Sequence, residues 1–359
     1  MGTSCEGRVG AQARLTSLAQ GWEILPDLDG CPSFGTLLKD AHGFINAGMK
    51  NTARVTGCKM KVERSSGTII SIPSDHHKID ALFYHIVTHR EHLENKPVLL
   101  RLHGILGNLL DETEHFLPSL LAARGYSSLS MNTLLANLGV LFGFGIFDES
   151  LQQIDKAFEY LRDLGFKKIV IAGHGLGGCM AVRYAAMRSE PSSIPELQGV
   201  VVIATPYSLS ETVRRRWDRF GSLPSYDEVY QRARKVMKPE PGEAPEPDEP
   251  FLVKRAHGPT TRPEHTEVYT YRTWWDLASP AAEGTRVHEH IERIKVPILL
   301  VHGLDDCIVE NNETEDLGRI ARESGNPDVT EVYLQADHTF EGRHGELAEI
   351  LLNWLGERF

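Results

Sequence analysis

Four short apolar runs, each followed by a turn, constrain this chain more than any other feature. Val98-Leu99-Leu100-Arg101-Leu102 precedes HGILGN, and Ile169-Val170-Ile171-Ala172 precedes GHGLGG. Val200-Val201-Val202-Ile203 precedes ATP, and Ile298-Leu299-Leu300-Val301 precedes HGLDD. Continuous apolar runs of this length are what strands covered on both faces look like. Between them, Leu151, Ile154, Phe158 and Leu161 recur at helical spacing, as do Leu347, Ile350, Leu351, Trp354 and Leu355. Such stripes pack on a sheet. The alternation predicts an α/β fold: a mostly parallel sheet with helices on both faces. Upstream, KMKVERSSGTIISIPS and KIDALFYHIV read as an antiparallel pair that opens the sheet.

A chain of 359 residues fits two domains, or one α/β domain carrying an insertion. The divisions expected are an N-terminal extension over 1–55, core over 56–206, an insertion over 207–289, and core again over 290–359. The insertion far exceeds the usual connection between core elements. It contains RRRW, the tract KPEPGEAPEPDEP at 238–250, and TYRTWWDL. So much proline excludes helix and central strand, which leaves a surface loop or disorder. The insertion is expected to form a mostly helical cap over the carboxyl ends of the strands, where open α/β sheets bind ligands.

Hydrophobic residues at 41% and charged residues at 24% describe a soluble globular chain. A formal net charge of −11 argues against a non-specific nucleic-acid binder. The longest apolar stretch, LLANLGVLFGFGIF at 134–147, is too short to span a bilayer. The 5 cysteines are odd in number and contain no C-x-x-C, so free thiols are expected. The start, MGTSCEGRVGAQARL, has no apolar signal region, and Glu6 breaks the myristoylation pattern. A cytoplasmic location is the expectation, with room for a homodimer.

The strongest chemical signal is IVIAGHGLGGCMA. A strand runs into Gly173-His174-Gly175-Leu176-Gly177-Gly178 and out into a helix. Flanking glycines allow a sharp strand-to-helix turn, with position 175 at its tip where a nucleophile belongs. A bare G-x-G-x-G also suits a phosphate-binding turn. Two further pieces favour the nucleophile turn. Asp306 follows the strand of VPILLVHGLDD and is preferred to Asp305 as the acid. His338, in VYLQADHTFEG, lies after the last strand and before the last helix, as a general base would. The backbone N–H groups of Ile105, in HGILGN, and Leu176 are the expected oxyanion donors.

With these motifs in the order nucleophile, Asp, His, the chain resembles the α/β-hydrolase superfamily, specifically its cap-bearing serine esterases and lipase-like members. The resemblance covers roughly residues 60–206 and 288–359. It implies a mostly parallel eight-stranded sheet and hydrolysis through an acyl-enzyme, with no cofactor or metal. The usual motif there is G-H-S-L-G-G, and here Gly175 stands at the serine position. Three accounts compete. A serine was replaced, which would trap substrate; the chain is a non-hydrolytic relative that binds a ligand or partner; or the His–Asp pair activates water or another proton transfer. Retention of Asp306, His338 and both oxyanion loops favours the first.

The expected substrate is a small ester or lactone with an apolar body. Phe142 and Phe144 are expected to line its pocket, with Trp217, Trp274 and Trp275 closing it from above. Other clusters have duller readings. His85, His89 and His92 do not form a metal site, His288-Glu289-His290 is a solvated turn, and Arg214-Arg215-Arg216 is a solvated face. Cys179 is core.

Overall fold

The computed structural model describes residues 66–74, 78–85, 95–111, 113–137, 144–188, 196–256 and 267–359. The expected N-terminal extension over 1–55 lies outside these residues, as do Phe142, His89 and His92.

The core strands are β1 (Ser66–Pro73), β2 (Lys78–His85), β3 (Val98–Leu102), β4 (Ser128–Met131), β5 (Ile169–His174) and β6 (Leu197–Ile203). Two more, β10 (Ile298–Gly303) and β11 (Val329–Leu334), follow the insertion. They form one eight-stranded sheet in the order β1-β2-β4-β3-β5-β6-β10-β11. β2 runs antiparallel to β1 and β4, and the other neighbours are parallel. The hairpin pairs Ser66 with His85 and Pro73 with Lys78.

Side-chain alternation sorts the apolar runs into two cores. Leu99, Val170, Val201 and Leu299 face Leu117 and Leu121 of α1 (Thr113–Ala123) and Leu347, Leu351 and Leu355 of α9 (His344–Arg358). Leu100, Ile171, Val200 and Leu300 face the other way, onto Leu151, Ile154, Phe158 and Leu161 of α2 (Phe147–Asp163). The same layer holds α3 (Leu176–Met187) and Leu317 of α8 (Asn311–Glu323). Each helical stripe seen in the sequence is therefore a face buried on the sheet. Arg101 interrupts the β3 run because its guanidinium pairs with the buried Glu114 of α1 at 2.5 Å.

Between β6 and β10 the chain forms α4 (Leu209–Arg219), β7 (Ser222–Leu223), α5 (Tyr226–Met237), β8 (Pro250–Arg255), β9 (Glu267–Thr270), α6 (Tyr271–Ala278) and α7 (Val287–Ile291). The segment is not mostly helical, because β7, β8 and β9 pair as a small antiparallel sheet. The Pro/Glu tract has no helix, is largely exposed, and enters β8 at Pro250.

Trp217, Trp274 and Trp275 are buried inside this segment, not displayed on it. Trp217 and Trp274 pack edge-on with Tyr226, Trp275 stacks on Tyr230, and the Trp217 indole N–H donates to the Pro224 carbonyl at 2.7 Å. This packing accounts for their burial, and they belong to the same apolar cluster as Phe147 and Leu151 of the core. His288 and His290 also differ from expectation. Both sit on α7; His288 stacks on Tyr207, and His290 is buried with Nε2 against the Glu283 carbonyl. Within RRR only Arg214 is exposed. Arg215 reaches the buried carboxylate of Glu313, and Arg216 pairs with Glu267.

The segment is tied to two loops at the carboxyl end of the sheet. Thr273 Oγ1 donates to the Gly145 carbonyl at 2.7 Å, and the Phe147 N–H donates to Asp276 at 2.6 Å. On the other side, Arg219 donates to the Cys307 carbonyl at 3.0 Å. Among the described residues no helix is long and apolar enough to cross a membrane.

Candidate active site

The site grows from the turn between β5 and α3. Gly175 joins them with φ 52° and ψ −114°, a conformation L-residues rarely adopt. Its N–H donates to the Ile203 carbonyl at 3.0 Å, and its own carbonyl accepts from Gly178 N at 3.1 Å. The turn is also tight: a Cβ on Gly173 would lie 2.0 Å from the carbonyl carbon of Gly177. That is why glycine flanks the tip.

At the tip itself there is room. A Cβ on Gly175 would meet His338 Nε2 at 3.8 Å and Gly104 Cα at 4.0 Å, which is ordinary contact. A hydroxyl carried there would stand within reach of the imidazole.

His338 Nδ1 bonds Asp306 Oδ2 at 2.7 Å. The Asp306 side chain is fully buried, and its other oxygen accepts from Ile308 N at 2.7 Å and Val309 N at 3.0 Å. Burial by itself pushes this carboxyl up. The hydrogen bond and charge of His338, with the two backbone donors, outweigh burial and hold it below the ordinary carboxylate range. An ionised Asp306 can only accept, so Nδ1 of His338 donates to it, and Nε2 is the ring nitrogen that faces position 175. Asp305 does not compete: it is exposed and accepts from Gln335 Nε2 at 2.6 Å.

Ile105 lies in a tight turn closed by Gly107 N to the Gly104 carbonyl at 3.1 Å. Leu176 opens α3, so its N–H has no acceptor within the helix. Neither N–H finds a protein acceptor among the described residues. Open backbone donors together with an imidazole 3.8 Å from the tip's Cβ position are the kind of groups that stabilise a tetrahedral oxyanion and move a proton. No cluster of His, Cys, Asp or Glu that could hold a metal ion is present among the described residues. Cys179 is buried below the tip, with its thiol pushed well up by burial, which suits core and not chemistry.

The remaining candidates divide. Phe144 is half exposed after β4. Leu110 after β3 and Leu304 after β10 are similarly exposed at the same end of the sheet, and the sequence did not single them out. Trp217, Trp274 and Trp275 are buried among one another, Tyr226 and Tyr230. Sequence reasoning also passed over His174, whose Nε2 bonds the His338 carbonyl at 2.8 Å. Nothing in the motif announces that contact, because it spans 164 positions.

Comparison with known proteins agrees with this architecture. A model of the alpha/beta hydrolase family matches residues 102–350. Est1E from Butyrivibrio proteoclasticus aligns with TM-score 0.55 and 16% identity, over 82% of this chain and 99% of that one. The Pyrococcus furiosus esterase Pf2001 aligns with TM-score 0.56 and 17% identity, over 87% and 99%. A monoacylglycerol lipase of Paleococcus ferrophilus aligns with TM-score 0.52 and 20% identity, over 74% and 97%. At these identities the likeness is one of fold. No curated protein sequence matches the chain.

Proposed function

Since the chain belongs to the α/β-hydrolase family, we propose that it is a Ser-His-Asp-type ester hydrolase whose nucleophile position holds glycine. In this reading Gly175 occupies the serine position, His338 is the general base, Asp306 orients it, and Ile105 and Leu176 donate to the oxyanion. With serine present, Oγ would attack the ester carbonyl while Nε2 takes its proton. The alcohol would leave with that proton, and water would then release the acid from the acyl-enzyme. With glycine, the chain binds the ester and forms no acyl-enzyme.

The observation that carries the reading is the facing of His338 Nε2 and the open Cβ position of Gly175, 3.8 Å apart. An unused base would have no reason to stay aimed at that spot with Asp306 buried behind it. The substrate class is an ester or lactone with an apolar body, supported by the exposed Leu110, Phe144 and Leu304 at the carboxyl end of the sheet. Residues 207–289 are read as a cap inserted between core segments 56–206 and 290–359. Its bonds to Gly145, Phe147 and Cys307 hold it on the loops that follow β4 and β10.

The same opening favours one second reading. A water at the vacant hydroxyl position would lie next to Nε2, and the His–Asp pair would activate it for direct hydrolysis. Turnover of p-nitrophenyl esters and simple lactones by the glycine chain and by Gly175→Ser separates the two. Activity only in the serine form supports the first. Activity of the glycine form that His338→Ala abolishes supports the second. No turnover by either form, with ligand still bound, leaves a binding protein and overturns both.

A further inference from the structure

His338 has farther to reach than Gly175 or Asp306. It follows β11, the edge strand, whereas the tip follows β5, with β6 and β10 between them. The loop after β11 must therefore cross the end of β10. It does so in close contact: Asp305 N donates to the Ala336 carbonyl at 2.9 Å, and Leu304 N to the Leu334 carbonyl at 2.7 Å. A Cβ on Gly303 would lie 2.4 Å from the Ala336 oxygen and 2.6 Å from the Asp337 oxygen. Glycine at 303 thus lets the loop pass. Asp337 folds the loop back on itself, accepting from Thr339 N at 3.1 Å and Glu341 N at 3.0 Å.

The loop is still unattached to the β5 side by these bonds. Asp306 does not supply that attachment, because it bonds the ring of His338 and comes from the β10 side. The attachment comes from His174, the last residue of β5, which is 1% exposed. Its Nε2 lies 2.8 Å from the His338 carbonyl oxygen, and the two imidazoles sit 4.7 Å apart at 56°. A carbonyl only accepts, so Nε2 of His174 carries the proton and donates. One residue of the same turn therefore offers the place for the nucleophile, and its neighbour holds the backbone of the base.

We propose that His174 is a positioning residue: its Nε2–H pins the His338 main chain to the elbow, so that Asp306 sets the tilt of the imidazole and His174 sets its distance from position 175. This rests on the reading of His338 as base. It adds a residue that touches neither substrate nor reacting atoms.

Two readouts test it. In the Gly175→Ser chain, His174→Phe keeps a ring of similar size and removes the donor. It should lower kcat for a p-nitrophenyl ester on the order of 100-fold, the scale of an ångström-sized misplacement, with KM nearly unchanged. His174→Gln, whose amide N–H can reach the carbonyl, should recover most of the loss. In the chain as it stands, the downfield proton resonance of His338 Nδ1–H, assigned by its loss in His338→Gln, should broaden in His174→Phe and persist in His174→Gln. If His174→Phe does not fold, His174→Asn, with its shorter reach, takes its place. Equal kcat and an unchanged resonance in the donor-less variant overturn the proposal, as does a glutamine variant no better than phenylalanine. Absence of turnover in Gly175→Ser itself strikes the functional reading, and the resonance then decides the positioning role alone.

Discussion

His338 Nε2 stands 3.8 Å from the point where a Cβ on Gly175 would be. Beyond the adjoining backbone, the only other atom within 4 Å of that point among the described residues is Gly104 Cα at 4.0 Å, so the imidazole looks onto an opening of side-chain size. Serine there should supply a nucleophile without moving its neighbours. Gly175→Ser is expected to create ester hydrolysis that passes through a covalent acyl intermediate, visible as a mass increase on quenching. Loss of a serine nucleophile elsewhere removes on the order of 10⁶ in rate, about 8 kcal/mol of barrier, so the gain should be large. His338→Ala in that background should remove nearly all of it.

The same substitution should destabilise the fold slightly. Position 175 has φ 52° and ψ −114°, which glycine adopts freely and serine does not. A non-glycine residue in such a region costs about 1–3 kcal/mol. Urea unfolding of the glycine and serine forms should show the serine form less stable by this amount. Equal stability would argue against a strained tip.

Asp305 and Asp306 are adjacent, but only Asp306 reaches His338. In the Gly175→Ser chain, Asp306→Asn should lower kcat by on the order of 10⁴-fold, because the amide favours the wrong imidazole tautomer. Asp305→Asn should leave kcat within a few-fold. The reverse ranking would reassign the acid.

Acid should destabilise the chain in two stages. Burial pushes His302 and His290 below the ordinary histidine value of 6.5, so the folded state keeps them neutral while the unfolded state takes up protons. Their contribution is whole above pH 6.5 and declines as pH falls below it. Asp306 has a lowered pKa, so its contribution is whole above the unfolded carboxylate value and is lost as pH falls through the folded one. Melting temperature should therefore begin to drop below about pH 6.5 and drop again in the carboxylate range. His302→Gln should flatten the first stage.

Arg101 and Glu114 form a buried pair with 0% and 1% side-chain exposure, and Ser130 donates to the same carboxylate at 2.5 Å. Glu114→Gln leaves the guanidinium buried without its counter-charge. Breaking such a pair costs about 3–5 kcal/mol. The double change Arg101→Met with Glu114→Leu should recover most of this loss, since it removes both charges together. Denaturant midpoints of the three chains measure the difference.

Much of this architecture was readable in one dimension, and the reason is periodicity. A strand covered on both faces must be apolar throughout, so β3, β5, β6 and β10 stand out as runs. A helix on a sheet must repeat at 3–4 spacing, so α2 and α9 stand out as stripes. The elbow was legible because its glycines answer to local geometry, and Asp306 and His338 because each follows a strand at the carboxyl end of the sheet. These are properties of short segments, and a sequence carries them in place.

What the sequence did not carry are contacts between segments far apart along the chain. Trp217, Trp274 and Trp275 look like a pocket roof in the sequence, but no short pattern shows that they are buried among one another, Tyr226 and Tyr230. RRR looks like a solvated face until Glu313 and Glu267 are brought against two of its members. The insertion's small sheet depends on pairing β7, β8 and β9 across intervening loops and α5, which no short pattern encodes. His174 is the clearest case: its neighbours in the motif are fixed by the turn, but its partner is the carbonyl of His338. A backbone carbonyl has no residue identity, so only the crossing of the β11 loop over Gly303 could bring the two together.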